Sequence, residues 1–552
     1  MMSTNVILAV LVFLPMLGGV MSYILRGTHG NGRSGLITEF TAIVEFVLAL
    51  ALLFCCADKA GKDAALFFTV PGICGFGLSF TLDGFRLIYA LIAALMWMMT
   101  ALLCPEYFSG HSNTARFYAF FLLTLGATMG VFLSADLYTT FLFFEMMSFT
   151  SYVWVAHEEN NAALRAADTY LAVAVFGGLV MLMGIFGIWH ELGTLTISEL
   201  PAAAAAYGNK PLLYALGCCM LVGFGAKAGA FPLHIWLPKA HPVAPAPASA
   251  LLSGILTKTG IYGILATTCG LFLGDRQWGI LILLIGAVTM FGGALLAVFS
   301  IDLKRTLACS SMSQIGFILI GIGMLCVLGE ENALAAHGTL LHMINHSLIK
   351  LVLFMAAGVI YMNVHALDLN VIRGYGRKKP LLKVIFLIGA LAIGGIPCFG
   401  GYISKTLLHE SILEYGGGWA FRALEYLFLF CGGMTVAYMT KLFVAIFIEK
   451  NVDERLQETY DSQKKYMNPV STFALAGSAA LLLVWGVFPH GLMDRAAEFG
   501  ESFMGLEEFG LTVSYFSMKN LSGALVSIVI GALVYLLFIR KLLMKKNTYI
   551  NA

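Results

Sequence analysis

The stretch GFGAKAGAFPLHIWLP, residues 223 to 238, decides how the chain is read, because it places Lys227 and Pro232 inside an apolar segment that starts at Leu212. A charge and a helix breaker in one greasy span ask for an explanation. Around them lie 552 residues, 59% hydrophobic and only 12% charged, with 59 glycines. The mean hydropathy is +0.86. Soluble domains carry about 25% charged residues, so the composition reads as an all-α polytopic membrane protein.

A crossing helix needs about 20 apolar residues. Fifteen runs of that kind fall at 5–25, 36–56, 84–104, 114–133, 137–156, 167–189, 211–236, 246–270, 278–300, 305–327, 333–362, 381–408, 419–448, 470–488 and 521–539. The expectation is 14 to 15 transmembrane helices. Only MMSTN precedes the first run and no small-residue cleavage site follows it, so it is read as a retained helix. Placing the N-terminus outside assigns 20 of the 33 Lys and Arg to inner loops and the C-terminus and seven to outer loops, which sets the N-terminus out and the C-terminus in.

Several chemistries are excluded. The eleven cysteines form no CxxC and no cluster with histidine at ligand spacing, so no iron–sulfur, zinc or other cofactor is expected in this chain. There is no Gly-rich phosphate loop and no nucleophile elbow, and the basic residues are scattered over loops, which argues against NTP hydrolysis and nucleic-acid binding.

A second interrupted span, GGIPCFGGYISK at 394–405, also carries a lysine. Backbone broken at membrane depth survives only where protein buries it or it lines a polar cavity, because lipid cannot satisfy the freed N–H and C=O groups. The broken spans are the seventh and the twelfth. Each can be the fourth helix of a five-helix unit, and a tandem copy of an odd-numbered unit must be inverted. The expected organisation is peripheral helices over 1–110, a first five-helix repeat over 111–272, a second, inverted one over 273–450, and a C-terminal loop with peripheral helices over 451–552. Two polar joints read as solvated linkers: the charged inner loop 449–469, and the outer loop 489–520 with Asp494, Glu498, Glu501, Glu507 and Glu508.

A charge at mid-bilayer costs about 2.5–3.5 kcal/mol on insertion scales. Glu145, Lys227, Lys258, Lys350 and Lys405 all fall inside spans. His342, His346 and Lys350 follow at i, i+4 and i+8, a polar ladder climbing about 12 Å along one helix face. Hydrogen-bonded structural histidines explain that pair as well as proton transfer does. A Glu145–Lys227 ion pair would keep that lysine charged and leave Lys258, Lys350 and Lys405 poised to exchange protons. Lys441, about ten residues from the inner end of span 13, reads as a snorkelling structural lysine, and Arg86, three residues after Asp83, as a structural one.

The motifs WLPKAHPVAPAPASALLSGILTKTGIYG (236–263), SIDLKRTLACSSMSQIG (300–316), HMINHSLIKLVLF (342–354) and GIPCFGGYISK (395–405) resemble those of the antiporter-like subunits shared by respiratory complex I, group 4 membrane-bound hydrogenases and Mrp-type cation/proton antiporters. The resemblance covers spans 3 to 13. It implies a coupling pair at Glu145 and Lys227, a central proton carrier at Lys258, further carriers at His342, His346 and Lys350, and a terminal carrier at Lys405. It also implies other membrane subunits and a peripheral redox arm as partners, transport of H⁺ with Na⁺ through a partner left open, and a place in a prokaryotic cytoplasmic membrane. After span 14 the chain offers only the acidic loop, one more span and a short basic tail, so the long lateral helix of the longest complex I member is not expected. That departure favours a hydrogenase or ferredoxin-linked complex, with an Mrp antiporter and, in another class, a non-pumping membrane scaffold as the rival readings.

Overall fold

The computed structural model describes residues 2–26, 32–60, 66–506, 513–545 and 548–550. Glu507 and Glu508 of the outer loop, and Lys62 and Lys546 among the loop cations, lie outside the described residues. Every one of the fifteen apolar runs is helical. Spans 1 to 6 are Met2–Ile24, Gly32–Ala60, Gly84–Tyr107, Thr114–Phe132, Leu137–Val155 and Asn161–Leu192. Span 7 is Lys210–Ala228 continued after a break by Leu237–Val243, and span 8 joins Ala246–Leu251 to Thr257–Leu271 through a π turn. Spans 9 to 11 are Arg276–Phe299, Leu303–Leu328 and Ala333–Val364. Span 12 is split into Pro380–Gly394 and Gly400–Tyr415, followed by Gly418–Phe447, Pro469–Val487 and Met518–Leu533.

Among the described residues, thirteen helices are long and apolar enough to cross a membrane. Outside those thirteen, span 5, rich in hydroxyls and carrying Glu145, is the helix Leu137–Val155, and span 12 is divided, its first half Pro380–Gly394 a shorter apolar helix. The protein is an all-α polytopic membrane protein. Short antiparallel hairpins depart from the helical pattern, Leu66–Val70 with Leu78–Leu82 and Met544–Lys545 with Thr548–Tyr549. Helix starts are set locally: Asp136 accepts from the Thr139 N–H at 2.7 Å, and Asp302 from the Arg305 N–H at 2.7 Å.

Close helix contact needs residues without side chains, because lipid supplies no hydrophobic drive between helices. A Cβ on Gly316 of span 10 would lie 2.3 Å from the Met290 nitrogen of span 9. One on Gly260 of span 8 would lie 2.4 Å from the Phe224 carbonyl oxygen of span 7.

Both polar joints are more built than the sequence suggests. In the inner one, Glu454–Ser462 is a helix whose Tyr460 is buried and donates to the Val371 carbonyl at 3.0 Å. Lys379 donates back to the Tyr460 carbonyl at 2.9 Å, and Asn451 to those of Val371 and Arg373. Burial disfavours the charged form of Lys379 and pulls its pKa down to about 8, against the opposing pull of Asp461. In the outer joint, Asp494–Gly500 and Glu501–Met504 pack as a cap, with buried Glu501 held by His337 at 2.7 Å. These are docked segments and not solvated linkers, because their apolar residues, Ala497 and Met504 among them, find a place in the core.

Candidate functional site

Span 7 breaks where the sequence says it should. Its first half ends at Ala228, Gly229 takes a left-handed conformation at φ 77°, and the Ala230 N–H closes back onto the Gly225 carbonyl at 3.0 Å. The Ala226 carbonyl takes the Gly229 N–H at 3.3 Å and, more closely, the Trp236 indole N–H at 2.7 Å. Trp236→Phe removes the shorter of its two hydrogen bonds and leaves only the long one from Gly229, a loss of about 0.5–1.5 kcal/mol. The expected reading is a lower midpoint in the thermal unfolding of the detergent-solubilised protein, with the helical content of the folded state unchanged.

Lys227, on the last turn before the break, is buried, and its ammonium donates to Ser148 Oγ of span 5 at 2.9 Å and to Tyr170 Oη of span 6 at 2.6 Å. Tyr170 in turn shares a hydrogen bond with Ser151 at 2.6 Å. The expected Glu145–Lys227 ion pair is therefore corrected. Glu145 lies one turn before Ser148, with Oε1 turned onto the backbone of Gly178 and without a hydrogen-bond partner. The lysine's hydrogen bonds go to the Ser148 and Tyr170 hydroxyls, and the two charges make no direct contact.

Lys258 has no exposure at all. The π turn Leu252–Leu256, just before it, disturbs the regular helix ladder. The Ser253 carbonyl accepts from Lys258 Nζ at 2.8 Å, and the Gly254 carbonyl from Ser347 Oγ of span 11 at 2.6 Å. Lys258 Nζ also meets His346 Nδ1 in a direct contact. One lysine thus joins span 8 to span 11, one from each of the two five-helix units read from the sequence.

The ladder on span 11 is real but its rungs lead to different places. His342 bridges Gln314 Oε1 at 3.1 Å and Ser404 Oγ at 2.9 Å. Ser404 precedes Lys405, whose Nζ donates to the Ile393 carbonyl at 2.8 Å, at the end of the first half of span 12. Lys350 turns instead to span 10, donating to the Leu307 carbonyl at 2.8 Å and to Ser310 Oγ. The two breaks are thus not copies. Lys227 stands before its break, Lys405 after its own and across it.

Some members of this polar interior were not read from the sequence. His241 is fully buried with neither ring nitrogen bonded, and its ring stacks on Phe354 at 4.9 Å, one turn from Lys350. The KAHP setting between prolines was the available signal. Lys304, counted with the inner-loop cations, is buried and donates to the Ala244 carbonyl at 2.6 Å. Lys441 does not snorkel: it is buried and donates to the carbonyls of Ala297, Val298 and Ser300, capping the C-terminus of span 9 where the helix dipole favours a cation. Arg86 holds Asp83, the Ser134 carbonyl and Tyr262, as befits a structural residue.

A family model described as "NADH:quinone oxidoreductase/Mrp antiporter, TM" matches residues 134–430, more than half of the chain. The chain belongs to this family. Among curated relatives of this antiporter-like protein, a Na(+)/H(+) antiporter subunit of Alkalihalophilus pseudofirmus is 31% identical over 334 residues, 60% of this chain and 66% of that protein. Hydrogenase-4 component B of Escherichia coli is 32% identical over 347 residues, 61% of this chain and 51% of that protein. The matched region therefore spans between half and two-thirds of those relatives. A chain in the solved Mrp complex from Dietzia sp. DQ12-45-1b has the same fold, with a TM-score of 0.78 at 20% identity over 96% of this chain and 100% of that one. Six of the seven residues singled out in the sequence are buried, Glu145 being half-buried, and Lys258 and His346 come together.

Proposed function

We propose that this chain moves protons across a prokaryotic cytoplasmic membrane as the translocating subunit of a redox-driven complex of the membrane-bound hydrogenase or ferredoxin-linked type. The observation that carries the reading is the direct Lys258–His346 contact, a buried titratable pair at the join of the two units. A proton on Lys258 passes to His346, moves along span 11 to His342, and reaches Lys405 past Ser404. Lys350 on Ser310 serves as a side store. A change in the distance between Glu145 and Lys227 alters the field at Lys258 and drives the transfer. Exchange at Lys405 is with the outer phase, the N-terminus being outside and the C-terminus cytoplasmic. No redox chemistry takes place in this chain. Other membrane subunits and a peripheral redox arm supply it.

A second reading, an Mrp-type Na⁺/H⁺ antiporter subunit without redox coupling, is favoured by the 31% identical antiporter relative. Affinity purification of the tagged chain in mild detergent, followed by mass spectrometry, separates the two. Copurifying iron–sulfur or nickel–iron subunits support the redox-driven reading; small membrane subunits with no metal-centre protein overturn it in favour of the antiporter. Lys227→Met supplies a further check in sealed vesicles: coupled pumping is expected to be lost, and unchanged pumping would remove Lys227 from the route.

A further inference from the structure

We propose that Glu45, in the N-terminal helices outside both five-helix units, is a second intramembrane proton-binding site, reached from one face of the membrane only. Glu45 lies at the centre of the Arg33–Cys56 span, has no exposure, and neither carboxyl oxygen has a hydrogen-bond partner. Spans 1, 3 and 4 pack around it. Between residues 5–25, 87–105 and 117–132 those spans contain no lysine, arginine or histidine. The titratable groups on the packed elements are Tyr23 on span 1; Arg33, Glu39, Cys55 and Cys56 on the same helix; Arg86, Tyr89, Cys104, Glu106 and Tyr107 on span 3; and Arg116 and Tyr118 on span 4, with Arg86 and Arg116 at the helix starts and held by Asp83 and Glu159. None of these cations meets Glu45, whose carboxyl oxygens have no partner, and a buried carboxylate with no partner is too costly to persist. The site holds a bound proton.

What surrounds that proton makes it more than a filler. Ser34, Thr38, Thr41 and Glu45 recur at spacings of four, three and four and are all buried, so they form one inward face of span 2. The face climbs about 16 Å from the end assigned to the inside, at 1.5 Å per residue. Beyond Glu45 it continues as Ala49, Leu52 and Cys56, which offer a proton nothing better than a thiol. A row of hydroxyls leads to the carboxyl from one side and stops there. Opposite, span 1 presents Leu11, Pro15, Gly18 and Ser22 at the same spacing. Ser34 Oγ donates to the Ser22 carbonyl at 2.8 Å, and a Cβ on Gly18 would lie 2.8 Å from Thr41 Oγ1. Continuing this antiparallel register by one turn puts Glu45 at about the level of Pro15. Proline has no N–H to give to the residue four before it, so span 1 has no Pro15 donor for the Leu11 carbonyl. Losing the proton leaves a charged carboxylate with no partner, so the element has two states tied to one proton.

The proposal rests on the transport reading above only for its second measurement. In the first, membranes holding the intact complex are treated with dicyclohexylcarbodiimide, which adds to protonated carboxyls in apolar surroundings, and peptides are mapped by mass spectrometry. Labelling at Glu45 that declines along a single titration as pH rises is expected; no labelling at any pH overturns the site. In the second, Glu45→Gln keeps size and hydrogen bonding but cannot exchange a proton. Ion transport by the assembled complex in sealed vesicles is expected to fall about tenfold or more. Unchanged transport overturns the site and leaves a neutral structural acid. If the variant fails to assemble, the wild-type labelling decides. A Lys258 variant that still pumps would sink the central route while leaving the Glu45 labelling intact, so the two readings fail separately.

Discussion

Lys258→Met is expected to abolish ion transport, a drop of about 100-fold or more, on the scale of losing a positioned proton-transfer group. The substitution keeps the length of the side chain and removes the amine, so the buried volume is filled. What it loses is the donor to the Ser253 carbonyl and the contact with His346 Nδ1. Lys258→Arg sharpens the test. A guanidinium keeps the positive charge but does not deprotonate in proteins, so a proton carrier is lost as completely as with Met. A lysine that served only as a fixed charge would instead be replaced by arginine with most of its function. Vesicle transport measured on both variants, at matched amounts of assembled complex, distinguishes the roles. Equal transport in the wild type and either variant would remove Lys258 from the path.

The second large effect concerns packing beside the same site. Gly260→Leu should prevent accumulation of the folded protein, at a cost of about 3 kcal/mol or more for the overpacked contact. A Cβ at Gly260 meets the Phe224 oxygen at 2.4 Å and the Ala228 nitrogen at 2.5 Å, both backbone atoms. Backbone cannot rotate away, so the seventh span must move outward, and Lys227 with it. Even Gly260→Ala should lower both thermal stability and transport. Gly292→Ala is the matched control, since its Cβ meets only the flexible end of Met312, at 3.5 Å. Detergent-phase chromatography and unfolding midpoints read both; equal behaviour of the two variants would show that the close approach of spans 7 and 8 is not needed.

Much of this is legible in the chain itself because lipid imposes a simple rule. With no water to satisfy the backbone, a crossing must be a helix of a certain length, and all fifteen apolar runs are helical segments. The same rule makes the interruptions at GAKAGAFP and GGIPCFGGYISK conspicuous, and both are breaks with a left-handed glycine, Gly229 and Gly395. Intramembrane charges stand out for the same reason, so Glu145 and the lysines are visible from their apolar flanks alone. Lys304 and Lys441 show the limit. One reads as a loop cation and the other as a snorkelling lysine, yet each is buried and donates to carbonyls of a neighbouring segment.

By itself, then, the sequence determined the helical membrane fold, the two broken spans and the mid-span charges Glu145, Lys227, Lys258, Lys350 and Lys405, since each follows from one segment weighed against the bilayer. Partnership was decided by the tertiary structure alone. Lys227 rests on Ser148 and Tyr170 and not on Glu145; Lys258 reaches His346 some 88 residues away in the chain; Lys350 leaves the ladder for Ser310; and Lys405 spans its own break. Periodicity tells which face of a helix is buried. It does not tell which helix that face meets, at what register, or whether a side chain's hydrogen bonds go to a hydroxyl one turn from the carboxylate.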